Sequence, residues 1–473
     1  MKAIIRGFAR NGAIIASGQL VSLLLILLLS RAYGPKQFSE YALVLSAFTI
    51  LSTIVTLKLS DAIFITKSRR NVNSLIQLNI FTSIILCAVS YLIFSLQERI
   101  EWLSKYSAII VLSGFVFSVG TCFYNLLVRK GQLLAFSFFS AALPISTAVF
   151  QLGFARFSAD ENGLENGFLA GNAFWAFALF FTVAIGEGLQ ALKIYPSWRF
   201  YWSRLKASRN YPLYSVPYNL TASLRLRGIL LILGQSVVTG QYQILDRVLV
   251  APSSLMGSVL RPIMIRHVHE KGLKNVQQDV WFLCRSLVLL CSPFFVWSWL
   301  HPEMLIGSVF GKQWIDASIL WFPLSANAIT MMLTNWMDRF FDFLEEQRKR
   351  TILEMVYSFF SLMAAYAALR IWPNEPSFAV YAYAVVSCLY GMHWLAFLGS
   401  NLGDQYLVFK LLGLMCAFSG AGWAIFTAVE LFGSPLASFS IAILLTLIVA
   451  LILLKEGQRA AFEYPQRRER EQI

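Results

Sequence analysis

The chain has 473 residues, of which 57% are hydrophobic, 15% aromatic and only 14% charged, with a formal net charge of +14. Soluble domains are about one quarter charged, so a soluble enzyme or a compact nucleic-acid-binding domain is excluded, and the composition is that of a polytopic membrane protein. All six cysteines (Cys87, Cys122, Cys284, Cys291, Cys388 and Cys416) fall in apolar stretches and read as packed thiols, not as a disulfide framework.

Windows of roughly 20 mostly apolar residues, separated by charged or Gly/Pro-containing breaks, predict about fourteen transmembrane helices. In chain order they cover 10–31, 39–60, 75–96, 106–128, 133–154, 167–185, 211–236, 239–265, 279–300, 318–337, 352–371, 378–398, 406–429 and 436–454. Backbone polar groups in hydrocarbon must be bonded internally, and windows of this length do so as helices. The first window lacks an A-x-A site at its far end and reads as a retained anchor, not a cleaved signal.

When loops are assigned alternately to two sides with the N-terminus inside, one side collects 27 of the 39 Lys and Arg and the other seven. That bias predicts a multi-pass protein with both termini in the cytoplasm. The positive charge thus reports topology, and anionic lipid headgroups are its expected neighbours rather than nucleic acid.

The basic, aromatic connection 189–210 divides an N-terminal lobe, 1–188 (helices one to six), from a C-terminal lobe, 211–400 (helices seven to twelve). Residues 401–473 add helices thirteen and fourteen and a basic tail. The expected fold is all-α, with two six-helix lobes around a central cavity and an appended helix pair, the repeat logic common among transporters. The outer loops 155–166 and 301–317 are too short for an external catalytic domain.

Five arginines remain inside predicted helices: Arg225, Arg227, Arg247, Arg261 and Arg285, all in helices seven to nine. At about 2.5–3.5 kcal/mol each at a helix centre, they should face water, a partner or an anionic ligand. At about 100° per residue, Arg247 and Arg261 share a stripe with Gln243, Ser254 and Ser258, and Arg225 one with Tyr214, Tyr218 and Thr221. Helix one repeats the pattern with Asn11, Gly18 and Ser22, and helix two with Thr49, Thr53, Thr56 and Ser60. The stripes predict a cationic cavity with a central tier of Arg225 and Arg247 and an inner tier of Arg261 and Arg285.

Asp246 is read as holding Arg247 in place, with proton exchange as the other role. The alternative for the arginines is structural pairing, with Arg261 and Arg285 snorkelling to headgroups. Arg227 lies about 200° from Arg225 and cannot share its face. Pro212, Pro217 and Pro252 are candidate bending points or static kinks. The HxH spacing at 267–270 lacks further ligands, so no metal is expected; His393 reads as a packed histidine, and 342–350 as a solvated face.

Four stretches carry a resemblance: LSRAYGPKQFSEYAL (29–43), GQYQILDRVLVAPSSLMGSVLRP (240–262), VFGKQWIDA (309–317) and MDRFFDFLEEQRKR (337–350). In order and spacing they resemble motifs of the bacterial oligosaccharide and polysaccharide flippases, the O-antigen and capsule repeat-unit translocases of the multidrug/oligosaccharidyl-lipid/polysaccharide exporter superfamily. Ser39 stands where that family usually has glycine, and Leu344–Glu345 departs from its glycine-containing form. The resemblance implies two lobes rocking around a cavity in the bacterial cytoplasmic (inner) membrane. It implies export of an undecaprenyl-diphosphate-linked oligosaccharide for O-antigen, lipopolysaccharide or related polysaccharide biosynthesis, without enzymatic chemistry, metal or bound cofactor. Coupling to a proton or sodium gradient, and partnership with a polysaccharide polymerase and assembly proteins, are implied in the same way.

On this reading Arg225, Arg247, Arg261, Arg285, Gln243 and Tyr218 contact substrate, and Asp246 is a structural or ion-coupling partner. A drug antiporter of the same superfamily should carry more buried carboxylates, whereas Asp246 is the one clear case. A membrane polymerase or ligase should carry a sizeable outer loop with acidic or histidine residues.

Overall fold

The computed structural model describes residues 2–66, 68–97, 100–157, 162–187, 202–203, 205–206, 211–337, 340–344, 346–432 and 434–470. Among these residues fourteen long helices follow one another and no strand occurs. They are α1 (Lys2–Ala32), α2 (Pro35–Val55), α3 (Arg69–Ser95), α4 (Ser107–Arg129), α5 (Leu133–Phe157), α6 (Gly163–Glu187) and α7 (Val216–Leu233). The second half comprises α8 (Val237–Lys271), α9 (Gln277–Leu300), α10 (Trp321–Thr334), α11 (Gln347–Ile371), α12 (Ser377–Leu402), α13 (Leu407–Phe432) and α14 (Pro435–Arg470). Twelve of them, α10 counted with its flanking 3-10 turns, are long and apolar enough to cross a membrane. The two that fall short are α7 and α8, the helices that carry four of the five internal arginines.

Local chemistry explains where helix limits depart from hydropathy. Helix α2 starts before the apolar window because Pro35 occupies its first turn with φ preset, and the Gly34 N–H donates to Gln37 Oε1 at 2.9 Å. It stops at Val55 because Leu57 and Lys58 adopt left-handed φ values of 43° and 53°. Ser60, expected on the polar stripe of helix two, therefore lies in the following 3-10 turn Leu59–Asp61. Residues Tyr211–Ser215 form a π turn and α7 begins only at Val216, with Pro217 in its first turn, whereas α8 runs through Pro252 without interruption.

Packing repeats between the halves. Helix α5 packs on α1 and α6, α6 on α4, and α4 on α2 and α3; in the same order α11 packs on α7 and α12, α12 on α10, and α10 on α8 and α9. The chain thus builds two six-helix lobes with one internal architecture. Helices α13 and α14 attach outside this pair, both against α9, where Trp297 Nε1 donates to Ser438 Oγ at 3.1 Å. The connection 189–210 lies almost wholly outside the described residues.

The lobes meet through α2 against α7 and α8, and through α1 against α8. At the end of the bundle that holds the α1–α2 turn, three of the four motif stretches come together. The last carbonyls of α1 have no partner within the helix. Gln313 Nε2 donates to Ser30 O at 2.7 Å and to Tyr33 O at 3.3 Å, and Trp314 Nε1 donates to Ser30 O at 2.8 Å. Trp314, fully buried, packs edge-on to Phe38 with ring centroids 5.3 Å apart. Beside them α8 approaches α2 so closely that a Cβ on Gly240 would collide with the Pro35 carbonyl oxygen.

Candidate functional site

Beneath this closure lies a cavity of about 410 Å³ between the lobes. Every helix of the N-terminal lobe except α3 contributes to its wall, together with α7 and α8. Its charged residues are Arg227, Asp246 and Arg247, two guanidinium groups against one carboxylate. They come from the hairpin of α7 and α8, which turns at Gly234 (φ +62°) and restarts at Ser236, whose hydroxyl accepts the Thr239 N–H at 3.2 Å. The hairpin sets Arg227 Nη1 3.6 Å from Asp246 Oδ2 and 3.3 Å from Gln243 Oε1. Arg247 reaches across to the other lobe, where Nη2 donates to Tyr41 Oη at 2.6 Å and the guanidinium sits 5.0 Å over the Tyr41 ring. Asp246 therefore pairs with Arg227, and a tyrosine of α2 orients Arg247.

The arginine of α7 that lines the cavity is Arg227, not Arg225. Two residues along a helix is a rotation of about 200°, so the pair serves opposite faces. Arg225 points between α11 and α12, where Nε donates to Glu354 Oε1 at 2.7 Å and the guanidinium covers the Tyr390 ring at 4.7 Å. Tyr390 Oη donates to Glu354 Oε2 at 2.6 Å and Tyr383 Oη donates to the Arg225 carbonyl at 2.8 Å. The side chains of Arg225 and Glu354 are 12% and 3% exposed, which makes this a buried ion pair inside one lobe. Glu354 does not stand out in the sequence because it sits about one turn from the basic run at 348–350, where a carboxylate reads as solvated.

The remaining expected contacts also lie outside the cavity wall. Arg261 Nη2 donates to the Asn335 carbonyl at 2.8 Å, at the C-cap of α10, a position that suits a cation. Arg285 faces α14, pairing with Glu456 at 2.9 Å, because α9 turns toward the appended helix pair. The Tyr218 hydroxyl accepts a hydrogen bond from Arg350 of α11, whose guanidinium lies over its ring. Gln243 is buried and bonds Arg227. Of the other stripe residues, Ser22 and Ser254 line the cavity, Thr53 meets Ser223 of α7 at 3.3 Å, and Gly18 packs on Ala141. The side chains of Asn11, Tyr214, Ser258 and the histidines of 267–270 lie outside the described residues. His393, expected to be packed, is exposed on α12, with Nδ1 3.0 Å from the Tyr357 hydroxyl of α11.

Sequence periodicity did not single out the wall opposite the arginines. Beside Ser22, it is built by Gln19, Thr147, Gln151 and Asn172 with Phe48, Phe117 and Phe168, none of which the helical stripes include. Helix α6 lies backbone-to-backbone on α5 here, since a Cβ on Gly167 or Gly171 would collide with the main chain at Gln151 or Thr147. Gln151 is fully buried, with Nε2 donating to Leu164 O at 2.9 Å and its own carbonyl accepting from Tyr33 Oη at 2.9 Å. Its Oε1, like that of Gln19, has no hydrogen-bond partner.

No family model and no curated protein matches the sequence. In three dimensions the chain is similar to the lipid II flippase MurJ in an inward closed conformation, with a TM-score of 0.70 at 11% identity over 96% of this chain and 100% of that one. It is also similar to MATE in complex with MaD3S (TM-score 0.52, 12% identity, 84% of this chain and 96% of that one). A third similar structure is that of the Vibrio cholerae MATE transporter VcmN (TM-score 0.50, 12% identity, 86% and 99%). The chain thus has the fold seen in the flippase MurJ, and most of its length has the fold seen in MATE transporters.

Proposed function

We propose that this chain is a non-enzymatic flippase that moves an undecaprenyl-diphosphate-linked oligosaccharide repeat unit from the cytoplasmic to the outer leaflet of a bacterial cytoplasmic membrane, for surface polysaccharide biosynthesis. The observation that carries the proposal is the interlobe cavity whose charged wall holds Arg227 and Arg247 against the single carboxylate Asp246. Such a site favours an anionic headgroup, and arginine suits phosphate because its planar fork makes charge-assisted hydrogen bonds in pairs. The lipid tail stays in the bilayer while the headgroup crosses between the lobes. With the N-terminus inside, the Ser30–Trp314 closure is the outer one, and it opens to release the headgroup outside. Coupling to a proton or sodium gradient, and delivery to a polymerase and assembly proteins, belong to the same reading.

The test is the lipid-linked glycan pool of a strain lacking the gene. Completed repeat units accumulating on the inner leaflet, with surface polysaccharide lost, are the expected result. Incomplete or unpolymerised units would point to a polymerase or ligase. An unchanged pool would favour a cation-coupled drug antiporter.

A further inference from the structure

A second cavity, of about 340 Å³, lies in the C-terminal lobe. Helices α8 and α9 both pack on α10, and the cleft they leave between them is floored by Ala328, Ile329 and Met332. Leu305, Phe310 and Trp321 shut it at the closed end of the bundle, where the Ser30 hydroxyl donates to the Phe310 carbonyl at 3.2 Å. Pro252 of α8 and Phe294 of α9 line it and are exposed, so it opens to the outside of the bundle, where the bilayer lies.

Its chemistry is the reverse of that of the interlobe cavity. Among the described residues no charged side chain lines it, and its polar side-chain atoms are engaged: Trp321 Nε1 donates to Ser298 Oγ at 2.9 Å, and Cys291 Sγ meets Met332 Sδ at 3.8 Å. Phosphate and sugar would find no partner there, which leaves hydrocarbon. Helix α8 separates the two cavities. Arg247, Ala251 and Ser254 face the interlobe cavity and Val248, Leu249 and Pro252 the cleft, and at about 100° per residue the two sets look nearly opposite ways. Leu23 of α1 lines both, so a chain passing over Leu23 would join them around a single helix, a detour of about 10 Å.

We infer that the cleft between α8 and α9 is a tail subsite: with the diphosphate at Arg227 and Arg247, it takes the isoprenoid segment next to the diphosphate, while the rest of the tail stays in the bilayer. The inference rests on the flippase reading. Hydrocarbon gains little by leaving lipid for an equally apolar wall, so what selects the occupant is the tether. A diphosphate held on one face of α8 presents its own first isoprene units to the other face at a high effective concentration, which no free phospholipid chain shares. Direction agrees. The cleft runs from Pro252, little more than one turn inward of Arg247, to the outer closure, and with the N-terminus inside a lipid arriving from the cytoplasmic leaflet points its tail that way.

The experiment uses the full-length protein in phosphatidylcholine nanodiscs and two probes, inorganic pyrophosphate and farnesyl diphosphate carrying a photoreactive diazirine on its terminal isoprene. Irradiation should place the label, read by peptide mass spectrometry, within 248–252, 290–295 and 328–332, and excess pyrophosphate should displace most of it. Ala328→Phe and Val248→Phe, which fill the cleft, should each weaken farnesyl diphosphate binding at least tenfold and leave pyrophosphate binding within twofold, whereas Arg247→Gln should weaken both. Should Ala328→Phe fail to fold, Val248→Phe, at a half-buried position, carries the test alone. Displaceable label on other helices, or affinities that the folded variants leave unchanged, overturn the subsite and leave the flippase reading intact. Cleft label that pyrophosphate does not displace marks a site for any bilayer chain and overturns it equally. If the unmodified chain binds neither probe, the flippase reading fails and the subsite with it.

Discussion

Arg225 and Arg227, two residues apart on α7, belong to different machines: the first is locked to Glu354 at 2.7 Å inside the C-terminal lobe, and the second lines the cavity beside Asp246, 3.6 Å away. Breaking a buried ion pair strands a charge and costs about 3–5 kcal/mol, whereas replacing both partners by apolar groups is often neutral. Glu354→Gln and Arg225→Gln should each lower the melting temperature of the purified protein sharply, and Arg225→Leu with Glu354→Leu should recover most of the loss. Equal destabilisation in the double variant would show that the pair contributes net stability.

Arg227 and Arg247 should behave in the opposite way. Arg227→Gln and Arg247→Gln should reduce surface polysaccharide export at least tenfold at unchanged protein level and melting temperature. Tyr41→Phe removes a hydrogen bond to a charged group, worth about 1.5–3 kcal/mol, and should give a milder loss of export by letting Arg247 wander. Immunoblotting alongside glycan analysis separates these outcomes from poor expression.

Arg285 supplies a contrast. Its pair with Glu456 is 33% and 40% exposed, the kind of contact worth about 0–1 kcal/mol. Arg285→Gln should leave both export and stability near those of the unmodified chain. A strong export defect would return Arg285 to the substrate path.

The contact of α5 with α6 is a packing prediction. Gly167→Val should push the helices apart at Gln151, at a cost of about 1–3 kcal/mol for overpacking, and should depress export beyond what the loss of folded protein explains. Thermal unfolding and export measured on the same preparations decide this.

The closure around Ser30 gives a conformational prediction. Trp314→Phe removes one hydrogen bond worth about 1 kcal/mol net, a factor of about five in a two-state equilibrium. In a background whose six native cysteines are replaced, Ser22→Cys in the cavity wall should then react about fivefold faster with an impermeant thiol reagent added from outside. An unchanged rate would mean that the closure is held elsewhere.

The fold was readable because its signals are one-dimensional: apolar length gave the helices, and loop charge together with the long connection suggested the lobes. Helix phase separated Arg225 from Arg227 correctly, but phase alone does not say which face meets the cavity. The Tyr214–Arg225 stripe looked wet because polar groups that satisfy one another inside a lobe have the same spacing as groups that face water. Glu354, Tyr383 and Tyr390, the partners that settle the matter, are more than a hundred residues away in the chain. Spacing likewise points Arg261 and Arg285 toward the cavity, whereas their partners, Asn335 and Glu456, are distant in the chain. The amide and aromatic wall escaped notice because glutamine, threonine and phenylalanine within an apolar helix look like ordinary packing until five helices bring them together.

At the closed end, Gln313 and Trp314 grip main-chain oxygens at Ser30 and Tyr33, and the fully buried Ser30 returns a contact of its own, its Oγ donating to the Phe310 carbonyl at 3.2 Å. Position 30 therefore has to be small as well as a hydrogen-bond donor, just as an indole and a primary amide are needed to reach it. Selection acting on this latch should be two-sided: related chains should hold a small hydroxyl residue at position 30 as tightly as they hold positions 313 and 314.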